Sequence, residues 1–326
     1  MIFSFFRYQL VKRMLKLPLV ALLSVTGICN AQSSPVDSLI TLKSAQQTLY
    51  YLSGDDLKGR LTGSEGSLMA AAYIAAKFDS IGLEPAPGKN DFFDDYTANY
   101  EGRKIPAKNV VGAIPGHGNN DTMVIFSAHY DHLGQGDDLP YNKDYSYRDD
   151  IFNGANDNAS GVTALLELAR YFRAKAGNRY LLLFIAFSGE EMEMLGSTDF
   201  MKRTKAGTVR AVINLEMLGR PTDGKCFVVS FNNSAIRNML NKNMMIAHPG
   251  TTEKFFENDP YTGQELDRRS DHYPFARKIK NAFTIMGSSP EDMYYHSVDD
   301  EYETIDFEFL VKATRNIAMA CEPFTW

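Results

Sequence analysis

TMVIFSAHYDHLG, residues 122–134, runs from an unbroken apolar segment, Met123-Val124-Ile125-Phe126, straight into His129, Asp131 and His132. A short apolar run bounded by polar residues suits a buried strand of an α/β sheet, and the carboxyl end of such a strand is where α/β proteins place their chemistry. Along an extended chain, side chains two apart point the same way, so Asp131 stands beside His129 and is placed to accept its second ring N–H. That pairing fixes the tautomer of a metal-binding imidazole. The same residues also fit a strand end with a solvated turn, and His-x-Asp is too short a motif to decide. The residues downstream decide it.

Working outward, apolar runs alternate with segments of helical spacing. Strands are expected at Lys108–Pro115, Arg179–Phe187 (RYLLLFIAF, apolar on both faces), Val209–Leu215, Lys225–Phe231 and Ala282–Met286. Helices are expected at Pro35–Ser53, Ala159–Lys175, Glu191–Arg203, Ser234–Ala247, Asp271–Lys278 and Thr304–Cys321. A further long Ala-rich helix is capped by Ser64 and ended by Gly82, with Leu68, Ala71, Ala72, Ile74, Ala75 and Phe78 as its buried stripe. Residues 87–107 read as a connection crossing the surface. Gln135–Asn153 lacks apolar periodicity and reads as a long active-site loop. The alternation implies an α/β sandwich with a mixed, mostly parallel sheet.

The first 31 residues read as a targeting segment. Arg7, Lys12, Arg13 and Lys16 precede an apolar core from Leu17 to Ile28 that is too short to span a bilayer, and Ala31 offers a cleavage site before Gln32. Lipidation at Cys29 is disfavoured by Ile28 in the position before it. Export to the periplasm or the medium follows, with residues 32–326 forming a single catalytic domain. Loss of the four basic residues takes the formal charge from −6 to −10, which argues against a nucleic-acid surface. No later stretch has membrane-spanning length. Cys226 and Cys321 are expected to be free thiols, since two cysteines make no disulfide framework.

Four more polar groups fall at element ends. Asp157, in NGANDNASG, either caps the following helix or reaches a metal. Ser188-Gly189-Glu190-Glu191 follows the most apolar strand, where adjacent side chains diverge; one carboxylate can bind a metal while its neighbour addresses a water. Glu216 adds a carboxylate after the strand ending at Leu215, and His296 sits in a loop of its own. Each is ambiguous alone. Together, two histidines and four carboxylates suit one or two ions of the zinc type, with Asp157 the candidate bridge. Serine chemistry is disfavoured, because no G-x-S-x-G elbow exists and Ser160 fits the turn into its helix. His132 is expected to support its loop, and His272 to line the cleft or cap a helix.

The order His-x-Asp, Asp in an NDNASG turn, Glu-Glu, Glu, His closely resembles the co-catalytic di-zinc exopeptidases of the aminopeptidase S and aminopeptidase Y type, clan MH. GRLTGSEG, GEEMEMLGS, RRSDHYPFA and YYHSVDDEYETID extend the resemblance from about Asp56 to the final helix. It implies a three-layer α/β/α zinc-exopeptidase fold and two zinc ions, one held by His129, Asp157 and Glu216 and the other by Asp157, Glu191 and His296. It further implies Glu190 as general base, Asp131 as partner of His129, a cis peptide after Asp157, and peptides with a free amino terminus as substrates. Glu216 departs from the Asp found in many members. A carboxypeptidase or single-zinc glutaminyl cyclase on the same scaffold is the alternative within the class, though Met192–Ser197 looks more like the aminopeptidases. An inactive peptide-binding homologue is countered by the presence of every expected ligand.

Overall fold

Residues 124–129 and 182–187 lie side by side at the middle of a nine-stranded sheet, buried from both faces. The structure is a computed structural model describing residues 35–136, 149–247, 253–289 and 291–326; the targeting segment, most of the loop expected at 135–153, and His248 lie outside these. In chain order the elements are α1 (Pro35–Leu39), α2 (Leu42–Leu52), α3 (Glu65–Ile81), β1 (Glu84–Pro85), β2 (Phe93–Tyr100), β3 (Arg103–Ile114), β4 (Asn119–His129), β5 (Gly134–Gln135) and β6 (Ile151–Phe152). There follow α4 (Gly161–Lys175), β7 (Tyr180–Phe187), α5 (Leu195–Arg203), β8 (Val209–Glu216), β9 (Cys226–Val229), α6 (Asn233–Ala247), β10 (Phe256–Asn258), α7 (Tyr273–Ala276), β11 (Ala282–Met286) and α8 (Phe307–Cys321).

The sheet order is β1-β3-β7-β4-β8-β11-β9-β10, with β2 paired to β3. The four central strands β7, β4, β8 and β11 run parallel, while β3 and β9 join them antiparallel. Alternate side chains enter two cores, as the pleat requires. Val124, Phe126, Leu182, Phe184 and Ile213 face α2, α3, α4 and α8, whereas Ile125, Leu183, Ile185 and Val212 face α5 and α7. The result is the mixed, mostly parallel sheet with helices on both faces. Cys226 and Cys321 are buried and unpaired.

Several elements differ from the sequence expectations, each for a local reason. Residues 93–100 are not a connection: they form β2, paired with β3 through eight registered positions around a Glu101-Gly102 turn with both φ positive (48° and 77°). Mirror-image turns of this kind match strand twist and build hairpins. The first helix breaks at Thr41, whose hydroxyl caps α2 through the Ser44 N–H. In α3, capped by Ser64 and ended by left-handed Gly82 as expected, the buried stripe is Ala70, Ala71, Ile74, Ala75 and Phe78; Leu68 and Ala72 face outward. Gly66 sets that rotation, because a Cβ there would lie 1.7 Å from the Leu57 carbonyl oxygen. Finally, α5 starts at Leu195 rather than at Glu191. Gly189, Glu193 and Met194 take positive φ and fold residues 188–194 into a tight turn, closed by Leu195 N–H to Gly189 O at 2.7 Å.

Candidate active site

Strand register assembles the first half of the site. In the parallel pair β4 and β8, Ser127 is level with Asn214, so His129 and Glu216, each two residues further on, emerge side by side at the carboxyl edge. Nε2 of His129 lies 3.0 Å from Oε1 of Glu216. The other Glu216 oxygen accepts the Ser270 hydroxyl at 2.7 Å, and Ser270 in turn accepts from Asn214, which also accepts from Ser127. A buried polar ladder under the sheet edge thereby aims the longer glutamate arm.

Asp157 supplies the shared element. It lies in the turn before α4, with a cis peptide between Asp157 and Asn158 as the resemblance implied. Asp300 holds this turn from behind, its two oxygens accepting the backbone N–H groups of Asn156 (2.9 Å) and Asp157 (3.0 Å). Arg220 neutralises Asp300 at 2.7 Å. The Asp157 carboxylate then points in two directions: Oδ1 stands 3.3 Å from His129 Nε2, and Oδ2 stands 3.3 Å from His296 Nε2.

The turn after β7 provides the second half. Glu191 Oε2 lies 3.2 Å from His296 Nε2, while its Oε1 lies 2.8 Å from His132 Nδ1. Glu190 is half-buried and borders the cavities on both sides of the cluster. The sequence expectations thus meet in one place: His129, Asp157, Glu190, Glu191, Glu216 and His296 converge.

Two expectations need correction. Asp131 does not take the His129 ring N–H on its carboxylate: Nδ1 meets the Asp131 backbone oxygen at 3.1 Å, and the carboxylate is 3.7 Å away. Its oxygens instead accept the Thr62 hydroxyl (2.9 Å) and the Glu190 N–H (3.2 Å), because the chain turns out of extended geometry after His129. The consequence for the imidazole is the same, since an Nδ1–H donated to a carbonyl leaves the Nε2 lone pair facing Asp157 and Glu216. His132 does more than support a loop, for it is fully buried against Glu191. His272 stands at the N-cap position of α7, one of its two expected places, with its side chain turned inward and Nδ1 2.8 Å from Thr284 Oγ1. The Ser160 hydroxyl is committed to the Asn156 carbonyl and the Leu218 N–H.

Sequence reasoning gave no role to Arg60, Thr62, Ser270 or Asp300. All four lie in segments that carried the resemblance, but nothing in their local spacing marks them. Arg60 is the largest of the fully buried side chains among the described residues, and its guanidinium donates to the carbonyls of Tyr130 (2.7 Å), Asn153 (2.6 Å), Gly154 (3.1 Å) and Leu52. It ties the His129–His132 segment to the turn that carries Asp157.

The electrostatics suit a cation. Burial acts against charge on Asp157, yet His129 and His296 hold its carboxyl well below the usual range. Burial and the repulsion of Asp157 act against Glu191 too, but His296 and His132 bring it down to about 2. Conversely, burial opposes protonation of His296, and Glu191 and Asp157 nevertheless raise it to about 11; Glu216 and Glu190 raise His129 in the same way. Burial pushes the Glu190 carboxyl well up, with Glu191 and Glu216 adding to it against the pull of His129. Protons on imidazoles are thus offsetting an excess of carboxylates. Nε2 of His296 forms no hydrogen bond although two carboxylates stand within 3.3 Å, and His129, Asp157 and Glu216 present donor atoms within 4.8 Å of one another, as do His132, Asp157 and Glu191. A compact set of imidazole nitrogens and carboxylate oxygens fits zinc.

Comparison with known proteins agrees with this architecture. The chain is 31% identical over 166 residues to the alkaline phosphatase isozyme conversion protein of Escherichia coli, covering 49% of this chain and 47% of that one. It therefore spans about half the length of that relative. Among solved structures it superposes on an aminopeptidase from Aneurinibacillus (TM-score 0.64, 16% identity, 88% of this chain and 94% of that one). It superposes equally on a glutaminyl cyclase from Porphyromonas gingivalis (TM-score 0.67, 18% identity, 87% and 99%), so these likenesses speak to the fold. Residues 109–321, from within β3 through α8, match peptidase family M28, and the chain belongs to that family.

Proposed function

We propose that this chain is an exported two-zinc aminopeptidase that hydrolyses the first peptide bond of substrates with a free amino terminus. The observation that carries the reading is the orientation of Asp157, whose two oxygens address two separate donor sets: His129 with Glu216, and Glu191 with His296. These five residues would hold the metals. When bound, zinc would supply Lewis-acid polarisation of the scissile carbonyl and lower the pKa of a nearby water.

The chain's own groups do the rest. Glu190 lies between the two sets with its carboxyl raised by burial, so it is suited to take a proton from the attacking water and deliver it to the leaving amine. The Asp131 carboxylate fixes the Glu190 backbone, and its carbonyl fixes the His129 tautomer. A cavity of about 60 Å3 beside Glu216 is lined by Met217, Val229, Leu266 and Met286, with Asp157, Glu190 and Glu216 at its charged end. That combination suits an apolar side chain together with an α-ammonium group.

The segment 1–31 would be removed on export, leaving residues 32–326 as the catalytic domain; among the described residues no helix is long and apolar enough to cross a membrane. A glutaminyl cyclase is the second reading, favoured by the fold likeness above. Assays on leucyl nitroanilide, on amino-blocked peptides with a free carboxyl end, and on peptides starting with glutamine separate the readings. Hydrolysis of the first alone supports the proposal, and turnover confined to the second or third replaces it with a carboxypeptidase or a cyclase.

A further inference from the structure

Two cavities meet at Glu190, Arg269 and Tyr295. The smaller, about 60 Å3, has room for a single side chain against Met217, Val229, Leu266 and Met286. The other, about 860 Å3, opens beyond Glu190 and Glu191, and its outer wall carries five cations: Lys202 at the end of α5, Arg268 and Arg269 in the segment before α7, and Arg277 and Lys278 just after it. Apart from the Glu190–Glu191 pair, one carboxylate, Glu193, shares that wall.

These cations are poorly matched by their surroundings. Arg268 faces Glu265 at 3.5 Å between exposed side chains, where screening leaves little attraction. Arg269 reaches the Tyr295 hydroxyl at 3.4 Å. Lys202, Arg277 and Lys278 are exposed and make no ion pair among the described residues. The chain as a whole has 40 acidic and 34 basic side chains, so five cations on one cleft run against its overall balance. A cleft lined by one sign of charge focuses its field inward and raises the local concentration of the opposite charge.

We propose that this cleft receives the part of the substrate beyond the scissile bond and selects carboxylates there. They would be supplied by acidic side chains downstream of the first residue or by the free carboxyl end of a short peptide. The assignment rests on the aminopeptidase reading: with the first side chain in the small cavity and the reacting carbonyl at Glu190, the remaining chain can only continue into the larger opening. Distance also favours direct contact, since the basic side chains line the same space as His296 and Glu191 rather than a remote face.

Four amidated or free peptides beginning with leucine test this on the zinc-loaded protein: Leu-Gly-Glu-Glu-amide, Leu-Gly-Gln-Gln-amide, Leu-Gly-Gly and Leu-Gly-Gly-amide. The expected result is that kcat/KM favours the acidic over the neutral member of a pair by about fivefold or more at low salt, chiefly through KM. The ratio should shrink as salt is raised, as for exposed charges. Preference within the first pair identifies acidic side chains as the target, and preference confined to the second identifies the terminal carboxylate of short peptides. In Arg277→Glu/Lys278→Glu the ratio should fall to one or below, with turnover of the neutral peptides reporting an intact centre; the wild-type salt series decides the matter if that variant does not fold. Equal turnover of acidic and neutral members at every salt concentration overturns the proposal alone. Absence of turnover on all four and on leucyl nitroanilide overturns the aminopeptidase reading together with it.

Discussion

Oδ2 of Asp157 lies 3.3 Å from Nε2 of His296, on the side of the carboxylate turned away from His129. One short side chain thus serves two sets of donors, and its removal should damage both. Asp157→Asn is expected to lower zinc from about two ions per chain to less than one. Elemental analysis after gel filtration measures it. A variant that keeps one tightly bound ion and full activity would mean that Asp157 does not bridge.

Metal uptake should expel protons. In the metal-free protein His129 and His296 are both raised, His296 to about 11, so both imidazoles are protonated near neutrality and must release those protons to bind an ion. Calorimetric titration with zinc near pH 7, in buffers of different ionisation enthalpy, should report about two or more protons released per chain filled. Heats that do not depend on the buffer would contradict this. The same shifts set the stability of the metal-free form. The contribution of His296 is complete below pH 6.5 and is lost as pH rises through about 11, whereas that of Glu191 is present above pH 4.5 and is lost as pH falls through about 2.

Arg60 should matter more for stability than its surroundings suggest. Four carbonyls share its guanidinium, and a lysine in its place offers a point charge without the planar fork. Arg60→Lys is expected to lose about 3 kcal/mol or more, because buried acceptors are left unpaired. For a domain of this size that is a fall of roughly 5 °C in Tm, read by thermal unfolding of the zinc-free protein. A shift below about 2 °C would show that the carbonyls find other donors.

Processing gives an independent prediction. Protein recovered from the exporting host should begin at or near Gln32, with the basic and apolar segment before it removed. Intact mass measures this, and an acylated Cys29 would replace cleavage with lipid anchoring.

How far the sequence could be read depended on whether its signals were local. The strands through Val124, Leu183, Ile213 and Ile285 were legible because apolar runs of that length have few other uses, and Ser64 and Gly82 mark the ends of α3 by cap chemistry alone. Of the candidate ligands, His129, Glu191 and Glu216 were legible because each ends or follows an apolar strand at one edge of the sheet, whereas Asp157 and His296 lie in turns and were marked by the order of motifs in the resemblance. What was not legible depended on long-range partners. The hairpin of β2 hides its alternation among aromatic and acidic residues, the outward turn of Leu68 depends on the Leu57 backbone, and the burial of His132 depends on Glu191, 59 residues away. The positions of Arg60 and Asp300 are set by backbone groups that no side-chain pattern announces.

The most direct test concerns the adjacent acids Glu190 and Glu191, since the account gives them different work. Glu191 faces His296 and His132 at 3.2 and 2.8 Å, whereas Glu190, which borders both cavities, is proposed to take the proton. Zinc per chain and kcat are to be measured together on Glu190→Gln and Glu191→Gln. The account predicts that Glu190→Gln keeps its zinc and its fold while kcat on leucyl nitroanilide falls by a factor of roughly 10² or more. It predicts that Glu191→Gln loses zinc and, with it, the stability that native-state binding confers. Loss of zinc from the Glu190 variant with retention in the Glu191 variant would contradict the assignment.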